Sequence, residues 1–358
     1  MRRQLPLGEP LARGYQFYAF PLAILATEAR ARDWILSNYI HVAFDPKAPD
    51  SPVPFGFYLY DHAISPWLEV VRTSREWVAC VGADIVALCR DSIGAGYYPY
   101  LNLDEHHLPG RAPYQQWHQT HDVLLSGVDD DEGTFTVYGY TANGSLRTTT
   151  VGQDDVARAY ASLDEVENDC FQVYFYRLRP DASYRMRLHV VGGAFEEYLS
   201  GANPSRRVDM LQEEWERAYG VDSYVPLRGY LRDYLNGDAA YDIRYLHVLW
   251  EHKRLMTERF LRLAELAPAL APLVDDCRAM QTDAVALRNG MLWHEQKGRS
   301  SRFGEEAMPR LERVFDTEVR VLRQAVEEIR RHPTQEPATD HRPVHQGTPT
   351  DAGRGGGT

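Results

Sequence analysis

Apolar positions divide this chain into two differently patterned parts. Up to about residue 179, short apolar runs of strand-like period are interspersed with helical stretches. Beyond Pro180 and Asp181 the apolar residues recur at helical spacing. In the first part, Phe17 to Ala31 reads as a helix, with Phe20, Ile24 and Ala31 near helical spacing and Pro21 in its first turn. Trp34 to Val42 reads as a strand and Phe55 to Tyr60 as a short one. Ser74 to Ser92 reads as one amphipathic helix, capped by Ser74, striped by Trp77, Val81, Ile85, Leu88 and Cys89, and ended by Gly94 and Gly96. Tyr97 to Leu103 has the composition of a buried strand.

A β-meander follows. An apolar strand containing Val123-Leu124-Leu125 leads to the acidic turn Asp129 to Gly133. A strand from Thr134 to Thr141, a turn at Ala142-Asn143-Gly144 and a strand from Ser145 to Val151 complete it. Gln153 to about Ser162 reads as a helix with acids at its positive end, and Cys170 to Arg177 alternates as a strand placed to join the same sheet. The second part predicts helices over Leu188–Leu199, Arg207–Tyr219, Leu227–Leu235, Asp238–Leu266, Leu270–Gly290 and Glu305–Arg330, separated by glycines and prolines. The expected organisation is an α+β chain: a lead-in over 1–14, a mixed domain over 15–179, an all-helical domain over 180–331, and a disordered tail over 332–358 that lacks large apolar residues.

Composition narrows the function classes. The chain has 358 residues, 44% hydrophobic and 25% charged, with a net charge of −12. That balance opposes general attraction to nucleic acid or anionic lipid, since both are negative. No apolar stretch is long enough to span a bilayer, and Glu9, Arg13 and Gln16 interrupt the N-terminal segment where a signal sequence would need a continuous apolar run. A cytoplasmic protein without nucleic-acid or membrane partners is expected. The four cysteines, Cys80, Cys89, Cys170 and Cys277, show no metal-ligand spacing and no disulfide framework.

Chemistry concentrates between Tyr97 and Val151. Asp104, Glu105, His106, His107, His118, His121 and Asp122 crowd the segment that leads into the meander. His121 opens an apolar strand, where a rigid backbone can present an imidazole to a cleft; its ordinary pKa of about 6.5 suits acid–base work near neutrality. Asp104, Glu105, His118, Asp122, Tyr138 and Tyr140 are candidate cleft residues. These residue types could also hold zinc, but adjacent His106 and His107 point to opposite faces if extended, and no HExxH pattern is present, so no metal and no cofactor are expected.

Leu103-Asp104-Glu105, then Leu108-Pro109, Tyr114, His118-Gln119-Thr120-His121, the apolar strand and Gly127-Val128-Asp129 together resemble the N-terminal domain of the butirosin biosynthesis protein H family, over about residues 15–165. The layout of the helical part, notably Asp242 to Lys253, is similar too. The resemblance implies a papain-like cysteine-peptidase-type domain followed by a helical one. It also implies acyl transfer from an acyl or peptidyl carrier protein to a small amine. The family's mechanism uses a cysteine near the start of the first helix, a histidine at the start of the meander strand and an acid on the next strand. Only the histidine has a counterpart, His121. No cysteine lies between Tyr15 and Ala31, Tyr18 and Thr27 are poor substitutes, and Tyr138-Gly139-Tyr140 stand where the acid is expected. The resemblance thus implies an acyltransferase-like biosynthetic protein without its nucleophile, or a non-catalytic adaptor in a biosynthetic assembly. In the helical part, Asp242, Arg244, Glu251, His252, Lys253 and Arg259 interleave charges with a core-forming stripe; Arg244 and Glu251 would line the cleft if they face the first domain. The oligomeric state stays open.

Overall fold

The computed structural model describes residues 1–59, 61–207, 215–298 and 301–331. The main sheet is antiparallel, and its order along the path is β4 (Leu68–Ser74), β9 (Gln172–Leu178), β5 (Tyr98–Asp104), β6 (Thr120–Asp129), β7 (Thr134–Tyr140) and β8 (Leu146–Gly152). The second half of β6 also pairs with β1 (Arg2–Gln4), with Arg2 opposite Asp129. The lead-in therefore extends the sheet where β5 has ended, beyond a register shift between Leu125 and Gly127. A small second sheet joins β2 (Val42–Phe44), β3 (Phe55–Phe57) and β10 (Ala218–Tyr219).

Every residue of β5 is buried, so the sheet is covered on both sides. Helix α1 (Gln16–Leu25) lies on one face, where Phe20 packs at 5.7 Å between ring centroids on both Tyr100 and Tyr138. Helices α4 (Ile85–Gly94) and α5 (Gln153–Ala161) pack on β5 and β6 from the other. The rest of the chain is helical: α6 (Leu188–Ser200), α7 (Tyr224–Asn236), α8 (Arg244–Leu266), α9 (Leu273–Lys297) and α10 (Ser301–Arg331). One cluster of buried apolar side chains runs through both parts, and β10 pairs with β2 across the expected boundary at 180. No helix among the described residues is long and apolar enough to cross a membrane.

Three local expectations need correction. The segment read as a strand from Trp34 is α2 (Arg32–Asn38), with Trp34, Ile35, Leu36 and Ser37 all buried. Its last carbonyls are satisfied from far away: the buried guanidinium of Arg259, on α8, donates from Nε to the Leu36 oxygen (2.6 Å) and from Nη2 to the Tyr39 oxygen (2.5 Å). A continuous apolar run is ambiguous by periodicity, and this distant capping decides it. The single helix expected over Ser74–Ser92 is two. The first, α3 (Arg75–Cys80), is capped by Ser74, and α4 is capped by Asp84, which accepts from Ala87 at 2.7 Å. Between them Gly82 has φ of +65°, a left-handed turn that glycine adopts without steric cost. Trp77 and Val81 of the supposed stripe are consequently exposed, and β4 runs directly into α3. The helix expected over Arg207–Tyr219 falls mostly outside the described residues, as does the tail from His332. Of its described part, Ala218–Tyr219 is the edge strand β10.

Inside the helical part, Lys253 and Glu318 are both fully buried and form an ion pair. The other Glu318 oxygen accepts from the hydroxyls of Tyr198 (3.1 Å) and Tyr224 (2.8 Å), and His252 Nδ1 accepts from Lys253 at 2.9 Å. His252 Nε2 in turn donates to the Ile40 carbonyl at 2.8 Å, tying α8 to the turn after α2. Burial and the neighbouring Lys253 charge hold His252 far below the usual histidine range, so the ring is neutral.

Candidate functional site

The acid- and histidine-rich segment folds into a rim at one end of the sheet. Strand β5 ends at Asp104, and the chain closes into a 3-10 turn over Glu105–His107. Asp104 is fully buried and saturated. One oxygen accepts from the backbone of His106 (3.0 Å) and Gln119 (3.2 Å); the other accepts from Nδ1 of His118 (2.6 Å) and the Ser162 hydroxyl (2.7 Å). Burial alone would raise its pKa, but these donors outweigh burial and hold the carboxyl below its ordinary range. The turn gathers three imidazoles: His106 stacks on His118 at 4.4 Å between centroids, and His107 lies 4.9 Å from His106.

The next residue forms the second carboxylate–imidazole pair. Glu105, 5% exposed, places Oε2 at 3.3 Å from Nδ1 of His121. Nδ1 is buried, while 37% of the His121 side chain is exposed, so the ring presents its remaining edge outward. Burial pushes the imidazole pKa down, but the adjacent Glu105 carboxylate outweighs it, and the net shift is upward. Arg111 completes the group. Its Nε lies 3.9 Å from the other Glu105 oxygen and its Nη1 donates to the Tyr140 carbonyl. The guanidinium lies over Gly139, where a Cβ would come within 3.1 Å of Nη2; a side chain at 139 would displace it.

The remaining candidates lie on the opposite face. Register pairs Leu103 with His121 and Asn102 with Asp122, and side chains alternate along a strand. His121 therefore shares a face with Leu103 and Val123. Asp122 shares the other with Tyr100, Leu124 and Tyr138, the face that α1 covers. Asp122 accepts from the Asn102 amide, and burial raises its pKa. Tyr138 is packed under Phe20, and burial pushes its pKa up to about 12. Tyr140 donates its hydroxyl to the Arg13 carbonyl. The predicted residues thus divide into a rim set, Asp104, Glu105, His118 and His121, and a set under α1, Asp122, Tyr138 and Tyr140.

Placement of the cysteines matters for the chemistry. Cys89 and Cys277 are buried, with thiol pKa values raised mainly by desolvation; Cys80 ends α3. Cys170 is half-buried near Thr120, whose side chain alternates to the face away from His121. Helix α1, the element that would carry a nucleophile in a thiol enzyme of the resembled family, is likewise on the face away from His121.

Arg244 and Glu251 both face the first part of the chain. Arg244 donates to the Pro52 carbonyl at 2.9 Å. Glu251, 1% exposed, accepts from the backbone of Arg13 (2.6 Å) and Gly14 (3.1 Å), the Tyr18 hydroxyl (3.2 Å) and Nε2 of His247 (3.0 Å). It pins the start of α1 rather than lining an open cleft. Arg111 and Ser162 were not singled out by sequence. Arg111 sits in a Pro-Gly-Arg-Ala-Pro loop without periodicity, and Ser162 ends a helix 58 residues from the carboxylate it serves. Comparison with protein-family models and with curated proteins finds no match for this chain.

Proposed function

We propose that this chain is a natural-product biosynthesis protein on a papain-like scaffold, transferring an acyl group from a carrier-protein thioester to a small amine without a covalent enzyme intermediate. The amine nitrogen attacks the thioester carbonyl, the proton leaving nitrogen passes to His121, and the carbon–sulfur bond breaks as His121 returns that proton to the departing carrier sulfur. The observation that supports this reading is the Glu105–His121 pair: a buried carboxylate lies 3.3 Å from one ring nitrogen while the rest of the ring is exposed. Neutral His121 is the base, and Glu105 stabilises the imidazolium formed when it takes the proton. Arg111, with Nε 3.9 Å from the other Glu105 oxygen, places a positive charge beside the carboxylate. Holding amine and thioester together supplies much of the acceleration that a thiol nucleophile would otherwise provide.

The second reading is a non-catalytic adaptor that holds a carrier-tethered intermediate. It is favoured by the separation of α1 from His121 on opposite faces of the sheet, which leaves no covalent relay. One experiment separates the two. Purified protein is incubated with an acyl carrier thioester and a panel of amines, and amide formation is followed by mass spectrometry. The transferase reading expects turnover that survives iodoacetamide and falls by about 10²–10⁴ in His121→Ala. Carrier binding without turnover in the wild type supports the adaptor. Turnover unchanged in His121→Ala overturns the acid–base role.

A further inference from the structure

We infer that Asp104, His107 and His118 form a binding site for a divalent transition metal, with zinc the best fit to their chemistry. Each offers one ligand atom, and the three atoms lie within 4.8 Å of one another. The expectation that His106 and His107 diverge assumed extended backbone. The 3-10 turn over Glu105–His107 replaces that geometry and swings both imidazoles to the side on which His118 lies. Two imidazole nitrogens and a carboxylate oxygen are a ligand set that zinc accepts in a tetrahedral site, leaving a fourth position for water. Softer sulfur ligands are absent from the set, which disfavours Cu(I), and the nitrogen donors disfavour magnesium and calcium.

The surroundings are those of a supported site. Asp104 is itself held by two backbone N–H groups and by Ser162, so it is fixed before any ion arrives. His118 is half exposed, which gives the ion a path in. Ligand atoms around zinc sit about 3.3 Å apart, given zinc–nitrogen bonds of about 2.0–2.1 Å. Closing from 4.8 Å to that spacing is a movement of about 1.5 Å, which rotation of the partly exposed His107 and His118 side chains would supply. Asp104 contributes the oxygen ligand, exchanging its contact with His118 for the ion. The site is separate from the Glu105–His121 pair, and the inference does not rest on the proposed transferase activity.

Zn²⁺ titration of the full-length protein by calorimetry, with Co²⁺ absorption as a coordination probe, tests it. The wild type should take up one equivalent tightly and give the intense visible bands of low-coordinate cobalt. His107→Ala and His118→Ala should each weaken that step by more than about 100-fold, and Ser162→Ala by about 10-fold, as a residue that only supports a ligand. His332, His341 and His345 are present in every variant, so uptake by them appears equally in all. Circular dichroism of each variant confirms the fold, and neither His107 nor His118 is buried. No tight step in the wild type, or the same step in all variants, overturns the site.

Discussion

Replacing Glu251 with alanine removes one carboxylate that serves four partners on two parts of the chain. The amides of Arg13 and Gly14 lose their acceptor at the entrance to α1, Tyr18 loses the partner of a fully buried hydroxyl, and His247 loses its contact one turn back on α8. An orphaned buried donor costs roughly 1–3 kcal/mol. The two amides lie near the surface and stand at the low end, about 1 kcal/mol each; the Tyr18 hydroxyl stands at about 2. The expected loss is about 4 kcal/mol, within the range for removing one member of a buried charged contact. Glu251→Gln keeps the volume and one carbonyl acceptor and should cost about half as much. Urea unfolding followed by tryptophan fluorescence measures both, as a fall in midpoint at constant slope. A loss below about 1 kcal/mol for the alanine variant, or a glutamine variant as damaged as alanine, would refute the reasoning that these hydrogen bonds hold α1 to the helical part.

Two further outcomes follow from burial. Lys253→Met removes the ammonium paired with the fully buried Glu318, so urea unfolding should show a loss of about 3–5 kcal/mol, whereas exposed Arg2→Met should stay within about 0.5 kcal/mol. Iodoacetamide should label Cys80 first and Cys170 more slowly in the folded protein, and Cys89 and Cys277 only after unfolding; peptide mass spectrometry reads the order, and early labelling of Cys89 would contradict its burial.

The sequence was most informative where local chemistry and tertiary structure agree. The meander was legible because Asp129 to Gly133 and Asn143-Gly144 are turn residues between alternating apolar strands, and β7, β8 and β9 lie within two residues of their expected bounds. Helix α8 was legible from its apolar stripe. What could not be read was set from a distance. Trp34 to Asn38 became helix because a buried arginine more than two hundred residues away caps it. β4 went unseen because Glu69, Arg72 and Thr73 give it no buried alternation; full-length pairing with β9 makes it a strand.

At the site, the segment was visible and its division was not. Adjacent His121 and Asp122 look like one constellation in sequence, but a strand sends neighbours to opposite faces. Only the register with β5 shows that His121 keeps company with Glu105 and that Asp122 is buried against Asn102. Arg111 has no sequence signal, since its role depends on the bare backbone of Gly139 beneath it.

The proposed acid–base chemistry depends on Glu105 as the charged partner of His121. NMR titration of the His121 ring in the wild type and in Glu105→Gln tests this directly. The folded pKa should lie above the ordinary value of about 6.5 in the wild type and fall in the variant, where burial acts without its opposing charge. Because the folded value is raised, the pair's contribution to stability is fully present below about pH 6.5 and is lost as pH rises through the folded pKa. A wild-type value at or below about 6.5 that Glu105→Gln leaves unchanged would contradict the pairing and, with it, the acid–base role.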